Sequence, residues 1–153
     1  MKDGHGGVTI GSEISGGVRN VFAENCRLDS QNLDHALRVK NNAMRGGLLE
    51  NLHFRNIHVG QVVHAVITID FNYEEGDKGT FTPVVRNYTV KQLRSAKSKH
   101  ALDLQGLKGA PVFDIYLADC TFDNVAEPSI VKNVQGLKLD NVRINGRLVG
   151  DLS

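Results

Sequence analysis

Tryptophan is absent from this 153-residue chain, and aromatic residues together make up only 6% of it. This composition excludes a binding site lined with tryptophan rings. The chain has two cysteines, Cys26 and Cys120, which are too few for a disulfide framework or a cysteine-based metal site. No other cluster of metal-binding residue types is visible in the sequence. We therefore expect neither a metal ion nor a cofactor.

An excess of charge and long hydrophobic runs are also missing. The formal net charge is +1, and no block of like charges suggests a nucleic-acid partner. No apolar run approaches the ~20 residues needed to cross a bilayer, and the first three residues do not begin a secretory signal. We therefore expect no nucleic-acid partner and no membrane partner, and the chain itself does not reveal its cellular location.

The chain does contain a repeated pattern of short strands. Five segments alternate apolar and polar residues, reach an Asn or Asp, and continue with an apolar residue. A second strand recurs after each of the first four, at residues 35–39, 64–69, 100–104 and 128–131. The repeated polar residues are separated by 31, 31, 32 and 22 positions and are Asn25, Asn56, Asn87, Asp119 and Asn141.

This pattern predicts an all-β parallel β-helix of about five rungs, forming a single domain over residues 1–153. No segment shows a sustained 3.6-residue period, and a short strand of a repeat cannot bury its apolar face alone. An antiparallel β-sandwich is the alternative. It would require frequent tight hairpin turns, and Asn145-Gly146 is the only Asn-Gly pair in the chain.

We interpret the five repeated Asn and Asp residues as one structural ladder. Asn tolerates the left-handed backbone conformation, and its amide can bond to the same position one rung away. Cys26 and Cys120 each follow a ladder residue and would lie three rungs apart. At ~4.8 Å per rung this is about 14 Å, beyond disulfide reach, so both are predicted to be buried free thiols.

Two motifs carry the functional information. Residues 4–12 read Gly-His-Gly-Gly-Val-Thr-Ile-Gly-Ser, and residues 38–40 read Arg-Val-Lys. In a strand, Arg38 and Lys40 leave the same face while Val39 points inward. Together the motifs closely resemble the second half of the active site of the polygalacturonases, glycoside hydrolase family 28. That family usually has Arg-Ile-Lys, and the change to Val concerns only the core-facing residue.

The resemblance implies a right-handed parallel β-helix and hydrolysis of α-1,4-galacturonosyl bonds in pectin by inversion. The substrate would be a pectin-type acidic polysaccharide or an oligogalacturonide. His5 would assist proton transfer without being the acid or the base. Arg38 and Lys40 would bind a substrate carboxylate, for which a guanidinium fork beside an ammonium group is well suited, and Tyr73 would line the cleft.

The chain departs from the family pattern in lacking the Asn-Thr-Asp and Asp-Asp segments that carry the catalytic aspartates. We interpret Asp29, Asp34 and Asp70 as turn or surface residues, since none has that context. We therefore expect a C-terminal portion of a longer β-helix that is inactive alone and prone to edge-to-edge self-association. The parent enzyme would be secreted or periplasmic.

Two other interpretations remain open. The chain could be a non-catalytic β-helix that binds acidic polysaccharide or acts only as a scaffold. A calcium-dependent pectate lyase would share the solenoid fold, but no acidic cluster for calcium is visible in the sequence.

Overall fold

In the computed structural model, residues 3–152 are described, and the regular elements among them are all β-strands. Residues 1, 2 and 153, which the predicted domain also includes, lie outside this range. The thirteen strands are, in chain order, β1 (Asp3–Gly4), β2 (Val8–Ile10), β3 (Val18–Leu28), β4 (Asn32–Leu33), β5 (His35–Lys40), β6 (Leu48–Gln61), β7 (Ala65–Asp70), β8 (Val84–Lys97), β9 (His100–Gln105), β10 (Val112–Phe122), β11 (Ile130–Lys132), β12 (Val134–Ile144) and β13 (Arg147–Val149).

Two parallel sheets run along the molecule. The first has the order β2-β5-β7-β9-β11, and the second has the order β3-β6-β8-β10-β12, with β13 added antiparallel to β12. β1 and β4 pair in a short parallel sheet of their own. The other strands from β2 to β12 alternate between the two long sheets, so neighbours within a sheet come from successive rungs. The fold is the predicted right-handed parallel β-helix, and its parallel pairing rules out the antiparallel sandwich.

The long strands of the second sheet turn corners without leaving the sheet. Strand β6 has positive φ at Asn51 (58°) and Asn56 (53°), and β8 has positive φ at Asn87 (55°) and Gln92 (57°). A residue in the left-handed conformation redirects the strand, and Asn adopts it more readily than most residues with a Cβ. These bends wrap the second sheet around the core, and the first sheet closes the remaining side.

The predicted single ladder is wrong at Asn87, because the corner residues form two ladders. Asn56 Nδ2 donates to Asn25 Oδ1 over 2.7 Å, whereas Asn87 Nδ2 donates to Asn51 Oδ1 over 2.6 Å. The strand register places Gln92 opposite Asn56. In order along the axis, the ladders are Asn20–Asn51–Asn87–Asp114 and Asn25–Asn56–Gln92–Asp119–Asn141.

An insertion explains this error. Stacked corner residues are 31 positions apart from Asn25 to Asn56, but 36 apart from Asn56 to Gln92, because the connection between β7 and β8 is long. The five extra residues shift Asn87 to the preceding corner. Asn56 and Asn87 are also 31 positions apart, but they belong to different ladders. The regular spacing in the sequence was therefore misleading at this point.

The core consists of side chains stacked in register from rung to rung. Leu37, Ile67 and Leu102 are register partners in β5, β7 and β9, and none has exposed surface. Fully burying such a side chain stabilises the fold by roughly 1.5–3 kcal/mol. Because alternation in a strand has a period of two, this inner row also fixes which side chains of the first sheet point outward.

The two cysteines are free thiols, as predicted. Strand register places Cys26, Ile57, Leu93 and Cys120 in one row, so the cysteines lie three rungs apart. Cys120 is buried, and burial raises the pKa of its thiol to about 11. Cys26 is only half-buried, which differs from the expectation that both thiols are buried.

Candidate functional site

The outer face of the first sheet brings together the three predicted substrate-binding residues. Arg38 and Lys40 leave the outer side of β5, and Tyr73 follows the end of β7 one rung further along. Lys40 Nζ lies 4.7 Å from the centroid of the Tyr73 ring, and Arg38 Cζ lies 5.9 Å from it. Both cations are therefore in range of the electron-rich ring face. We call Arg38, Lys40 and Tyr73 the cation cluster.

His5 lies beside the cation cluster. Its carbonyl oxygen accepts a hydrogen bond of 3.1 Å from Arg38 Nη1. The adjacent Gly6 permits this close approach, because a Cβ there would lie 2.1 Å from Thr9 Oγ1 and 3.4 Å from Arg38 Cβ. The Gly-His-Gly segment is thus tied through its backbone to the guanidinium group.

Asp34 lies between β4 and β5, at the turn position expected for it, and is a direct partner of His5. Asp34 Oδ2 lies 2.7 Å from His5 Nδ1, and the His5 side chain is 89% exposed. The hydrogen bond with His5 lowers the pKa of Asp34 below its usual value, and burial opposes this effect. The contact occupies Nδ1 and leaves Nε2, the other ring nitrogen of His5, available to a ligand.

A buried histidine, His35, belongs to the same strand as Arg38 and Lys40. The ring of His35 bonds through Nδ1 to Thr68 Oγ1 at 2.7 Å, and its centroid lies 5.6 Å from that of His64. Burial, followed by the charges of Arg38 and His64, lowers the pKa of His35 to about 4. His35 is therefore neutral at neutral pH and adds no positive charge to that of Arg38 and Lys40.

Carboxylates follow the cations along the outer face. Asp70 is the register partner of Lys40, and Asp103 stands two rungs from Arg38 in the same row as Arg38. Burial is the main cause that raises the pKa of Asp70, and Asp103 adds to it. Asp29 lies elsewhere, against Gly60 of β6, in agreement with a turn position. The sign of charge therefore changes along the axis of the helix.

The turns that follow the first three strands of this sheet are linked by ion pairs. Arg45 Nε lies 2.9 Å from Glu13 Oε1, and Arg45 Nη1 lies 3.3 Å from Glu74 Oε2. Glu13 follows β2, Arg45 follows β5 and Glu74 follows β7. Sequence analysis missed this arrangement, because its residues lie about one rung apart in segments without a repeated pattern.

The described residues show neither a metal centre nor a membrane span. Between residues 3 and 152, no group of three or more His, Cys, Asp or Glu side chains is arranged to hold a metal ion. The same range has no helix that is long and apolar enough to cross a membrane.

Comparison with known proteins gives three matches. A family model described as glycosyl hydrolases family 28 matches residues 1–144. The exo-poly-alpha-D-galacturonosidase of Dickeya chrysanthemi is 26% identical over 158 residues, covering 93% of this chain and 25% of that protein. The crystal structure of a hyperthermoactive exopolygalacturonase from Thermotoga maritima matches with a TM-score of 0.87 and 38% identity, covering 94% of this chain and 31% of that one. The chain thus spans about a quarter to a third of these relatives.

Proposed function

This chain belongs to the glycosyl hydrolases of family 28, and we propose that it forms the carboxylate-binding part of a pectin-degrading, polygalacturonase-like hydrolase. The observation that carries the proposal is the pairing of Arg38 and Lys40 on one outer face, both in range of the Tyr73 ring. The proposed substrate is a pectin-type acidic polysaccharide or an oligogalacturonide. Both matched relatives are named for action on galacturonic-acid polymers.

The chemistry of the cation cluster suits a uronate carboxylate. Arg38 offers planar N–H donors in a fixed fork, and Lys40 offers a compact positive charge beside them. Both side chains are half-buried, so their attraction for an anion is screened less than it would be on a fully exposed surface. Hydrogen bonds between ionised partners are about twice as strong as neutral ones. The cluster therefore favours a charged sugar over its methyl ester.

Inverting hydrolysis also requires an acid and a base, which stand roughly 6.5–9.5 Å apart in such enzymes. The chain contains no Asp-Asp or Asn-Thr-Asp segment, so we propose that both groups come from outside these 153 residues. His5 would face them with Nε2 free, because Asp34 occupies Nδ1. In this arrangement His5 assists proton transfer while Arg38 and Lys40 orient the sugar.

The test is Arg38→Ala, measured as binding of digalacturonate and of its fully methyl-esterified form. We expect uronate binding to weaken by roughly 1.5–3 kcal/mol, the range for hydrogen bonds to charged groups, with little change for the ester. Arg19→Ala is the matched control, since Arg19 is an exposed arginine on the second sheet that pairs with Glu50 at 3.1 Å. Equal losses on both ligands would refute carboxylate recognition.

A further inference from the structure

Asn42 is a buried polar residue in the turn after β5, and its amide has a partner at every position. Its side chain has no exposed surface. Oδ1 accepts from the backbone N–H groups of Met44 and Arg45, each at 3.1 Å. Nδ2 donates to the Tyr73 carbonyl oxygen at 3.0 Å and to Glu75 Oε2 at 2.9 Å. An amide with two acceptor and two donor sites filled fixes one geometry for both turns.

Arg45 extends this connection to the neighbouring rungs. Its side chain is only 20% exposed, and its guanidinium lies between the carboxylates of Glu13 and Glu74. Both Nη1 and Nη2 donate to Glu74 Oε2 at 3.3 Å. Glu75 Oε2, which also accepts from Asn42, lies 3.9 Å from Arg45 Nη1. The backbone bond that Arg45 makes to Asn42 therefore links all of these ion pairs to one buried amide.

Tyr73 and the residue that follows it are both held by these partners. Asn42 Nδ2 holds the backbone carbonyl oxygen of Tyr73. Glu74, the next residue in the chain, raises the pKa of Tyr73, with burial contributing less. Arg45 in turn holds Glu74. The backbone on both sides of the Tyr73 side chain is thus fixed, and its ring is the surface that lies 4.7 Å from Lys40 Nζ.

We propose that Asn42 and Arg45 are positioning residues that set the Tyr73 ring against Lys40 before substrate arrives. A free lysine side chain has considerable rotamer entropy, and a ligand that must order it loses affinity by part of that cost. A fixed ring face restricts the ammonium group in advance. The identity of the ligand rests on the proposed function, whereas the placement of the ring is a property of the unliganded protein.

Asn42→Asp removes both donors and keeps the size of the side chain and its Oδ1 acceptor, and the new carboxylate also repels Glu75 Oε2, the former partner of Nδ2. The first measurement needs no ligand and follows the NMR shifts of the Lys40 methylene protons, which the Tyr73 ring current displaces. We expect Asn42→Asp to move them toward ordinary lysine values, with Tyr73→Leu as the end point. Asn124→Asp is the matched control, since it loses a similar bond of 2.8 Å to the Ala96 carbonyl oxygen in a different turn.

The second measurement is binding of digalacturonate and of its methyl ester. We expect Asn42→Asp to weaken uronate binding by about three- to tenfold, the range for leaving one long side chain unordered, and to leave ester binding unchanged. In a Tyr73→Leu background, Asn42→Asp should have no further effect. A merely structural role would instead weaken both ligands in both backgrounds.

The two measurements together can contradict the proposal in two ways. Unchanged Lys40 shifts in Asn42→Asp would overturn it, as would a shifted ring without any change in uronate affinity. If the unmodified chain binds no digalacturonate, the proposed function fails, and the Lys40 shifts alone decide whether Asn42 positions the ring. If Asn42→Asp does not fold, Glu75→Ala removes one acceptor of the same amide from a half-exposed position and should move the Lys40 shifts in the same direction.

Discussion

At the scale of single residues, His35 makes the stability of the fold depend on pH. Its pKa is about 4 in the folded protein because of burial and the nearby Arg38 and His64, against about 6.5 in an unfolded chain. Between these values the unfolded state binds more protons. The contribution of the neutral ring is therefore complete above about pH 6.5 and is lost progressively as the pH falls toward 4.

We therefore expect the free energy of unfolding to fall by roughly 3 kcal/mol through His35 between pH 6.5 and pH 4. Urea denaturation at several pH values would measure it in the wild type and in His35→Gln. In this interval the slope of the unfolding free energy against pH should be smaller in the variant, by the equivalent of about one bound proton. This difference does not depend on what other groups contribute. Identical slopes in both proteins would show that His35 is not the group responsible.

Sequence patterns predict the site residues only in part. Alternation is sufficient to direct Arg38 and Lys40 outward, because the two-residue period is a property of the strand backbone. The contact between His5 and Asp34 depends on the path of the turn before β5, and no repeated pattern describes that path. A rung of about 30 residues is the one available signal, since these two residues are 29 positions apart.

At the scale of structural elements, the corner ladders are the feature most open to experiment. Asn56 has a φ of 53° and donates to Asn25 Oδ1 over 2.7 Å. Asn56→Ala loses this bond and places a Cβ in the left-handed region, whereas Asn56→Gly loses the bond without that steric cost. We expect about 2–3 kcal/mol of destabilisation for Ala and about 1 kcal/mol for Gly.

Chemical denaturation of the two Asn56 variants would measure the difference. Arg94→Ala, at an exposed position of β8 where φ is not positive, is the control and should change stability little. Equal losses for Ala and Gly at position 56 would mean that the left-handed backbone contributes nothing at this corner.

The elements themselves are largely predictable, whereas their register is not. Short apolar-alternating segments predict strands in both sheets, because each must bury one face against its neighbours. The register error at Asn87 arises from the long connection between β7 and β8, since Asn is suitable for either corner. The ladder position opposite Asn56 is filled by Gln92, which is not a residue type that marks turns.

At the scale of the whole molecule, we expect no hydrolysis by these 153 residues alone. A general acid and a general base each contribute typically 10²–10⁴-fold, and we propose that both lie elsewhere. Reducing-end release from polygalacturonate by the purified chain should therefore equal the buffer background. Activity that disappears in Asp70→Asn would place a catalytic acid on the outer face of the first sheet instead.

We also expect the chain to self-associate through β3. This strand ends the second sheet within the described residues, and Phe22 on it is 73% exposed. An open strand edge with an apolar side chain favours pairing with another chain. Light scattering should show concentration-dependent association that Phe22→Lys reduces.

Phe81→Lys provides the matched control for this association. Phe81 is 63% exposed but lies in the connection between β7 and β8, away from the edge of the sheet. It should leave the association unchanged. A wild-type chain that stays monomeric at all concentrations, or equal effects of both substitutions, would contradict the role of β3.

The stacking of rungs also determines how this protein would respond to mechanical force. Ladder bonds between parallel strands point along the helix axis, so tension applied along that axis loads the bonds of one rung at a time. The rungs should then open one after another. Each step should release roughly 100 Å of extended chain from a 31-residue rung. Tension applied across the axis would load many of these bonds together. We therefore expect the molecule to resist less force along its axis than across it.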